Sequence, residues 1–305
     1  MSNHKGFTEA DVPDQSGKSF IVTGANAGVG FEVTRVLAAR GARVLLGCRD
    51  QARAKEAIAR IRRITPRADV SWLPLDLGDI ESIRAAAKAV AAEPRMDALI
   101  NNAGIMYPPL TRTRQGFESQ FGVNHLGVFA LTSLLLPKLA QTPGSRVVVT
   151  SSIAHFKGKI DWDDLNAEHG YSKVVRYGGS KLANALFFFE LDRRLRASRS
   201  PVTAVGVHPG VASTNLGRHM GLAQWAGPIV GMLLNSADKG AWPALLAATG
   251  SVKPGGYYGP IGFGGIRGVA GEAKRAPRAE DPELAKRLWD VSIAMTGIDP
   301  DLPSV

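Results

Sequence analysis

A tyrosine at 177 and a lysine at 181, in the stretch YGGSK, stand four residues apart. On a helix that spacing puts both side chains on one face. A free phenol titrates near pH 10 and is a weak base at neutral pH. An ammonium beside it favours the phenolate, and lowering the pKa by roughly two units needs about 2.7 kcal/mol of differential stabilisation, within reach of a partly desolvated pair. Such a phenol can pass a proton to or from a substrate oxygen while a hydride moves, with no metal required. A second donor must hold that oxygen. VVVTSSIAH, residues 147–155, ends a buried strand in hydroxyls, with Ser152 the first candidate and Ser151 the alternative. Asn124, in VNHLG, is an amide among apolar neighbours on a helix. A water leading to Lys181 would satisfy it; a bent helix with a satisfied amide is the alternative.

The elements that must position these groups alternate along the chain. Strand-like Ser19–Thr23, Arg43–Gly47, Val70–Leu75, Ala98–Asn101, Arg146–Ser151 and Val202–Val207 are separated by helical patterns, including a long one from Phe117 to Leu139 and one from Tyr177 to Arg196. Repeated β-α units of this length require a parallel sheet with helices on both faces. After Pro209 the pattern loosens into short helices over 210–250, a last strand at 255–260 and a helix from Asp281 to Thr296. The predicted fold is one α/β domain, 17–305, with a doubly wound parallel sheet of about seven strands and a polar lead-in, 1–16.

Strand carboxyl ends are where such sheets bind ligands. TGANAGVG, residues 23–30, leaves the first strand and opens the first helix, so Gly24, Gly28 and Gly30 allow a pyrophosphate close to the backbone and the helix N-terminus. Folds of this kind that take NAD hold the ribose hydroxyl with an acid at the end of the second strand. Cys48 and Arg49 stand there instead. Arg49 is matched to a 2′-phosphate, which predicts NADP(H) over NAD(H); the alternative leaves Arg49 in solvent and gives the ribose to Asp50. Asp76 and Leu77 after the third strand are placed for an adenine, and Asn102, Ala103 and Gly104 after the fourth for the adenosine ribose.

The 305 residues are 45% hydrophobic, which supports one large core. Net charge is +10, but residues 35–67 carry ten Lys/Arg against two acids without one aromatic, the pattern of a solvated helix face and not of a nucleic-acid surface. A single cysteine excludes an internal disulfide and points to a reducing, cytoplasmic setting. The longest apolar stretch, 126–136, is too short to span a bilayer.

Taken together, TGANAGVG, LDL, NNAG, VNHLG, VVVTSS, YGGSK and HPG (208–210) resemble, in order and approximate spacing, the short-chain dehydrogenase/reductase family. GCRD (47–50), SSIAH and the 25 positions from Ser152 to Tyr177 look like its branch of retinol dehydrogenases and relatives of protochlorophyllide reductase. The resemblance implies a tetrad of Asn124, Ser152, Tyr177 and Lys181. It also implies cofactor contacts from Gly24, Asn26, Gly28, Val29 and Gly30, a grip of Lys181 on the nicotinamide ribose, and a carboxamide site at Pro209, Gly210, Val211 and Thr214. Gly178 and Gly179 depart from good helix composition, at about 1 kcal/mol each relative to alanine.

The implied activity is an oxidoreductase acting on an alcohol or carbonyl. The alternatives are a non-catalytic nucleotide-binding regulator and a member reducing C=C bonds or running an epimerase-like cycle. Tyr171 and Lys173 also pair, but two apart and so on different helix faces. His155 and His208 are expected to serve structure and not acid–base chemistry. Residues 153–160 and 211–235, with Trp225, Ile229 and Met232, would line an apolar substrate pocket under a lid spanning about 211–250. In the family the two long helices often form a dimer face, so a homodimer or homotetramer is open.

Overall fold

Apolar runs such as SFIVT and RVVVT lack an alternating polar face, and they become the centre of a sheet covered on both sides. The computed structural model describes residues 6–211 and 235–305. In chain order its main elements are β1 (Ser19–Thr23), α1 (Gly28–Ala39), β2 (Arg43–Cys48), α2 (Gln51–Ile64), β3 (Val70–Pro74), α3 (Ile80–Ala91) and β4 (Ala98–Asn101). They continue through α4 (Ser119–Phe121), α5 (Gly127–Leu139), β5 (Arg146–Thr150), α6 (Lys173–Ala197) and β6 (Thr203–Val207). The last are α7 (Ala237–Thr249), β7 (Tyr257–Gly262), β8 (Arg267–Glu272) and α8 (Pro282–Thr296). The strand order is β3-β2-β1-β4-β5-β6-β7-β8, parallel except for the β7–β8 hairpin. The order reverses between β1 and β4, which opens a crevice at their carboxyl ends.

Eight strands replace the expected seven or so. The extra one, RGVAGE, has two glycines and little apolar content, and it is recruited as an edge by its turn from β7. One core, holding Val22, Val36, Leu46 and Leu245, lies on the α1–α2–α7 side of the sheet. The other, with Leu99, Phe129, Val147 and Leu186, lies under α3, α5 and α6.

Three expectations change. The helix from 117 to 139 is broken: α4 passes into a π-helix, Gly122–Leu126, before α5 begins. Residues 6–16 are anchored to the body, with Val12 1% exposed, Phe7 bridged to Ala270 and Glu9 paired with Arg35 at 2.7 Å. The far part of the expected lid is α7, whose Ala241, Leu245 and Ala247 are fully buried in the core; residues 212–234 lie outside the described residues. α8 of the same chain packs on part of the α5 and α6 face considered for a dimer contact. Trp289 packs edge-on to Phe129 at 5.3 Å and under Arg194 at 4.5 Å, and His125 meets the Ser292 hydroxyl at 2.8 Å.

Candidate active site

The glycine turn is built as a cradle. Gly24 and Gly28 adopt φ of 68° and 57°, left-handed values that favour glycine. A Cβ on Gly30 would lie 2.5 Å from both the Gly24 oxygen and Asn102 Nδ2, so α1 can approach the turn only without one. Ala27 gives α1 no side-chain cap, and its first-turn N–H groups are left for an anion. Asn26 is half-buried within the turn and Val29 is buried beneath α1. Thr23, not singled out in the sequence, braces the crevice. Its hydroxyl accepts from the N–H groups of Asn102 and Ala103 at 3.0 and 2.9 Å, and its carbonyl accepts from Asn102 Nδ2 at 2.9 Å. Gly104 follows, and a Cβ there would lie 3.1 Å from Asn124 Oδ1 and 3.3 Å from Lys181 Nζ.

At the end of β2, Arg49 is exposed and makes no hydrogen bond or ion pair within the described residues. Asp50 instead caps α2, accepting from Arg53 N–H at 3.0 Å. Cys48 is buried, and burial pushes its thiol up to about 11. Asp76 Oδ1 accepts from Gly78 N–H at 2.9 Å. Leu77 was expected against an adenine ring, but its side chain is 6% exposed and belongs to the core under α3 and α5. The basic residues of α2, including Arg53, Lys55, Arg62 and Arg63, face solvent as a helix of that pattern should.

The tyrosine and lysine do share a face of α6, both buried. Lys181 Nζ lies 5.8 Å from the Tyr177 ring centre and donates to the Thr150 carbonyl at 3.3 Å. Ser152, just past β5, lies near enough to the Tyr177 phenol for its side chain to favour the phenolate. Ser151 is turned the other way and donates to the Lys181 carbonyl at 2.7 Å. The structure thus brings Ser152, and not Ser151, to the phenol. Asn124 sits in the π-helix, a feature that recurs at functional sites. Its amide is bonded by protein: Oδ1 accepts from Ile105 N–H at 2.7 Å, while Nδ2 donates to Ile105 O and Ser180 Oγ, each at 2.9 Å. Ser180 in turn donates to the Tyr177 carbonyl at 2.8 Å, a link that sequence reading missed although the residue lies inside YGGSK.

In the protein alone, burial sets the electrostatics of the pair. Burial pushes the Tyr177 phenol up to about 12, against a smaller opposing effect of the Ser152 side chain. Burial also lowers Lys181 to about 8. Desolvation is the largest cause for both groups. The resting site is a protonated phenol beside an ammonium that titrates near neutrality.

Gly179 now has a physical cause, while Gly178 leaves room for an ordinary contact. The chain between Ser152 and Tyr177 crosses α6 at these positions. A Cβ on Gly179 would lie 2.5 Å from the Lys159 carbonyl oxygen, and one on Gly178 3.4 Å from the Gly158 Cα. His155 is fully buried. Its Nε2 accepts from Ala276 N–H at 3.0 Å, so Nδ1 carries the proton and donates to the Ser152 carbonyl at 2.5 Å. His208 is buried, lowered to about 4 by burial, and accepts from Gly210 N–H at 3.3 Å. Both imidazoles are bonded to backbone, in keeping with a structural role. Pro209, Gly210 and Val211 run alongside the β7–β8 hairpin, with Val211 N–H donating to Ile266 O at 3.1 Å. Thr214, Trp225, Ile229 and Met232 lie outside the described residues. Tyr171 donates to Pro108 O at 2.8 Å while Lys173 opens α6. Tyr107, unremarked in the sequence, packs edge-on against Tyr177 with ring centres 5.2 Å apart.

Residues 18–224 match the family model described as short chain dehydrogenase. The chain belongs to the short chain dehydrogenase family. Retinol dehydrogenase 13 of Homo sapiens is 44% identical over 98% of this chain and 88% of its own length. Retinol dehydrogenase 14 of Mus musculus is 40% identical over 92% and 86%. A crystal structure of an uncharacterized protein from Mycobacterium paratuberculosis is 39% identical and superposes with a TM-score of 0.82, covering 96% of this chain and 98% of the other. These relatives place the chain in the retinol-dehydrogenase-like branch, as an NAD(P)-dependent oxidoreductase acting on CH–OH or C=O groups. The crevice fits the nicotinamide coenzyme of that family. The open first turn of α1 suits a pyrophosphate, and buried Lys181, whose hydrogen-bond partner among the described residues is the Thr150 carbonyl, has N–H groups left for ribose hydroxyls. Among the described residues no helix is long and apolar enough to cross a membrane, and no cluster of His, Cys and acidic groups could hold a metal ion.

Proposed function

We propose that this protein is an NADP(H)-dependent reductase of an apolar aldehyde or ketone, with Tyr177 as its acid. The observation that carries the reading is the convergence of the Tyr177 phenol, the Ser152 hydroxyl and the Lys181 ammonium at one buried point beside the glycine cradle. When bound, the nicotinamide supplies the hydride. Ser152 and Tyr177 hold the substrate oxygen between two hydroxyls. Tyr177, protonated up to about 12, keeps its proton for that oxygen, which favours carbonyl reduction over alcohol oxidation. Lys181 would hold the nicotinamide ribose and places positive charge where the phenolate forms. Asn124 ties the loop after β4 to α6 through Ile105 and Ser180. Exposed Arg49, beside a β2 end whose acid Asp50 is engaged as a helix cap, supports NADP(H). A cytoplasmic setting belongs to the same reading, supported by the lone buried Cys48.

The test is Tyr177→Phe, assayed for aldehyde reduction and for coenzyme binding. Turnover should drop roughly 10²–10⁴-fold while the coenzyme Kd stays within about threefold. Wild-type turnover in that variant would overturn the assignment. Transfer of labelled hydride to a C=C carbon would replace carbonyl reduction by the alternative chemistry.

A further inference from the structure

Tyr107 is held in a conformation that a residue with a Cβ adopts only when its surroundings impose it, with φ of 60°. Those surroundings are specific. Its N–H donates to Oε1 of the fully buried Gln120 at 3.0 Å, and the next carbonyl, that of Pro108, accepts from the Tyr171 hydroxyl at 2.8 Å. Gln120 Nε2 closes the knot, donating to the Tyr171 oxygen at 3.1 Å and to Lys173 O at 3.0 Å. The knot locks the loop after β4 to the start of α6 and fixes the Tyr107 ring edge-on to Tyr177, 5.2 Å between centres and 76° between planes. The ring is only half-buried, so core packing does not account for it. Beside it opens a cavity of about 600 Å³ lined by Tyr107, Pro108, Pro109, Tyr171, Lys173 and Val174. Ser172 completes the lining, no acidic group among the described residues joins it, and at its edge Val174 is 56% exposed.

We propose that Tyr107 is a specificity-determining wall of the substrate site. It selects carbonyl compounds whose reacting carbon carries an aromatic arm, stacked on this ring and lodged in the cavity while the oxygen reaches Tyr177 and Ser152. The proposal rests on the assignment of Tyr177 as the acid. An aromatic arm gains from the ring's face as well as from burial, and the prolines and Tyr171 offer a further flat, apolar surface.

The test compares wild type, Tyr107→Phe and Tyr107→Gly, each saturated with NADP⁺, by calorimetric titration with 2-acetonaphthone, an aromatic ketone that NADP⁺ cannot reduce. Glycine accepts the left-handed backbone, so this variant removes the ring without removing the loop geometry, and its thermal melt should not fall. Tyr107→Phe should bind within about twofold of wild type and Tyr107→Gly about tenfold more weakly. Equal binding by all three, equal weakening in both variants, or no saturable binding to wild type overturns the wall. These outcomes separate from the fate of Tyr177. Weakened binding in Tyr107→Gly with full turnover in Tyr177→Phe would leave the wall and remove the acid, and the reverse pattern would do the opposite.

Discussion

Lys181→Met should make the protein more stable and inactive. Lys181 is 3% exposed and among the described residues hydrogen-bonds one carbonyl, and burial lowers it from its ordinary 10.5 to about 8. At pH 7 it is charged both folded and unfolded, so the full difference of 2.5 units is carried as a cost of folding, on the order of 3 kcal/mol. Methionine matches the lysine stem and carries no charge. Subtracting roughly 1 kcal/mol for the lost bond to Thr150 leaves a gain of about 2 kcal/mol at pH 7. The sign with pH follows from the lowered folded pKa. The cost is complete below about pH 8, shrinks as the folded lysine loses its proton first, and is gone above 10.5. The gain of Lys181→Met over wild type should therefore be largest at pH 7 and shrink through pH 9.5, measured by urea unfolding of both proteins across that range. Turnover should vanish at every pH. A variant less stable than wild type at pH 7, or a difference that does not change with pH, would show that the buried ammonium is not the strained group deduced here.

Three further outcomes follow from other parts of the structure. kcat/KM for aldehyde reduction should hold steady through neutral pH and fall as pH rises through about 8, where Lys181 loses its charge, while Tyr177 stays protonated to about 12; a profile level to pH 10 would contradict this. Arg49→Ala should weaken NADP(H) binding about 10–100-fold and leave NAD(H) within about twofold, read from dissociation constants, since only the phosphate offers a bidentate partner. Gly179→Ala improves helix propensity by about 1 kcal/mol, yet its Cβ would meet the Lys159 carbonyl at 2.5 Å. A net loss of roughly 1–3 kcal/mol in urea unfolding is expected, and a gain would show that the crossing loop yields.

The parts of the fold that could be read beforehand are those written in local pattern. SFIVT and RVVVT lack a polar face and are buried throughout or nearly so. TGANAGVG, with a strand before it and a helix after it, gave the cradle and its position. Tyr177 and Lys181 share a face because four residues is close to one helical turn. What could not be read depends on partners distant in the chain. RGVAGE is a strand only because β7 turns back on it, and AWPALLAA could be lid or core until α1 is seen packed beside it. Gly178 and Gly179 looked like a weakness of α6 because the backbone that needs Gly179 bare lies twenty residues upstream. Thr23, Ser180 and Tyr107 carried no chemistry in the sequence that could set them apart.

The acidified phenol was expected beside a bound nicotinamide; in the protein alone, burial sets both pKa directions. Spacing predicts that an ammonium acidifies the phenol, but spacing carries no information about water. In the fold both groups are buried, and each is pushed toward its neutral form. A site tuned to a resting phenolate would need Lys181 to win that contest before any substrate arrives. Under the proposed mechanism the site keeps the phenol's proton and tolerates a charged lysine at neutral pH, an arrangement whose stabilising interaction would strengthen only as the proton left Tyr177 for the substrate oxygen. Attraction that appears with the developing charge lowers the barrier without tightening the resting state, so the cost carried by buried Lys181 is spent on the reaction and not on the fold.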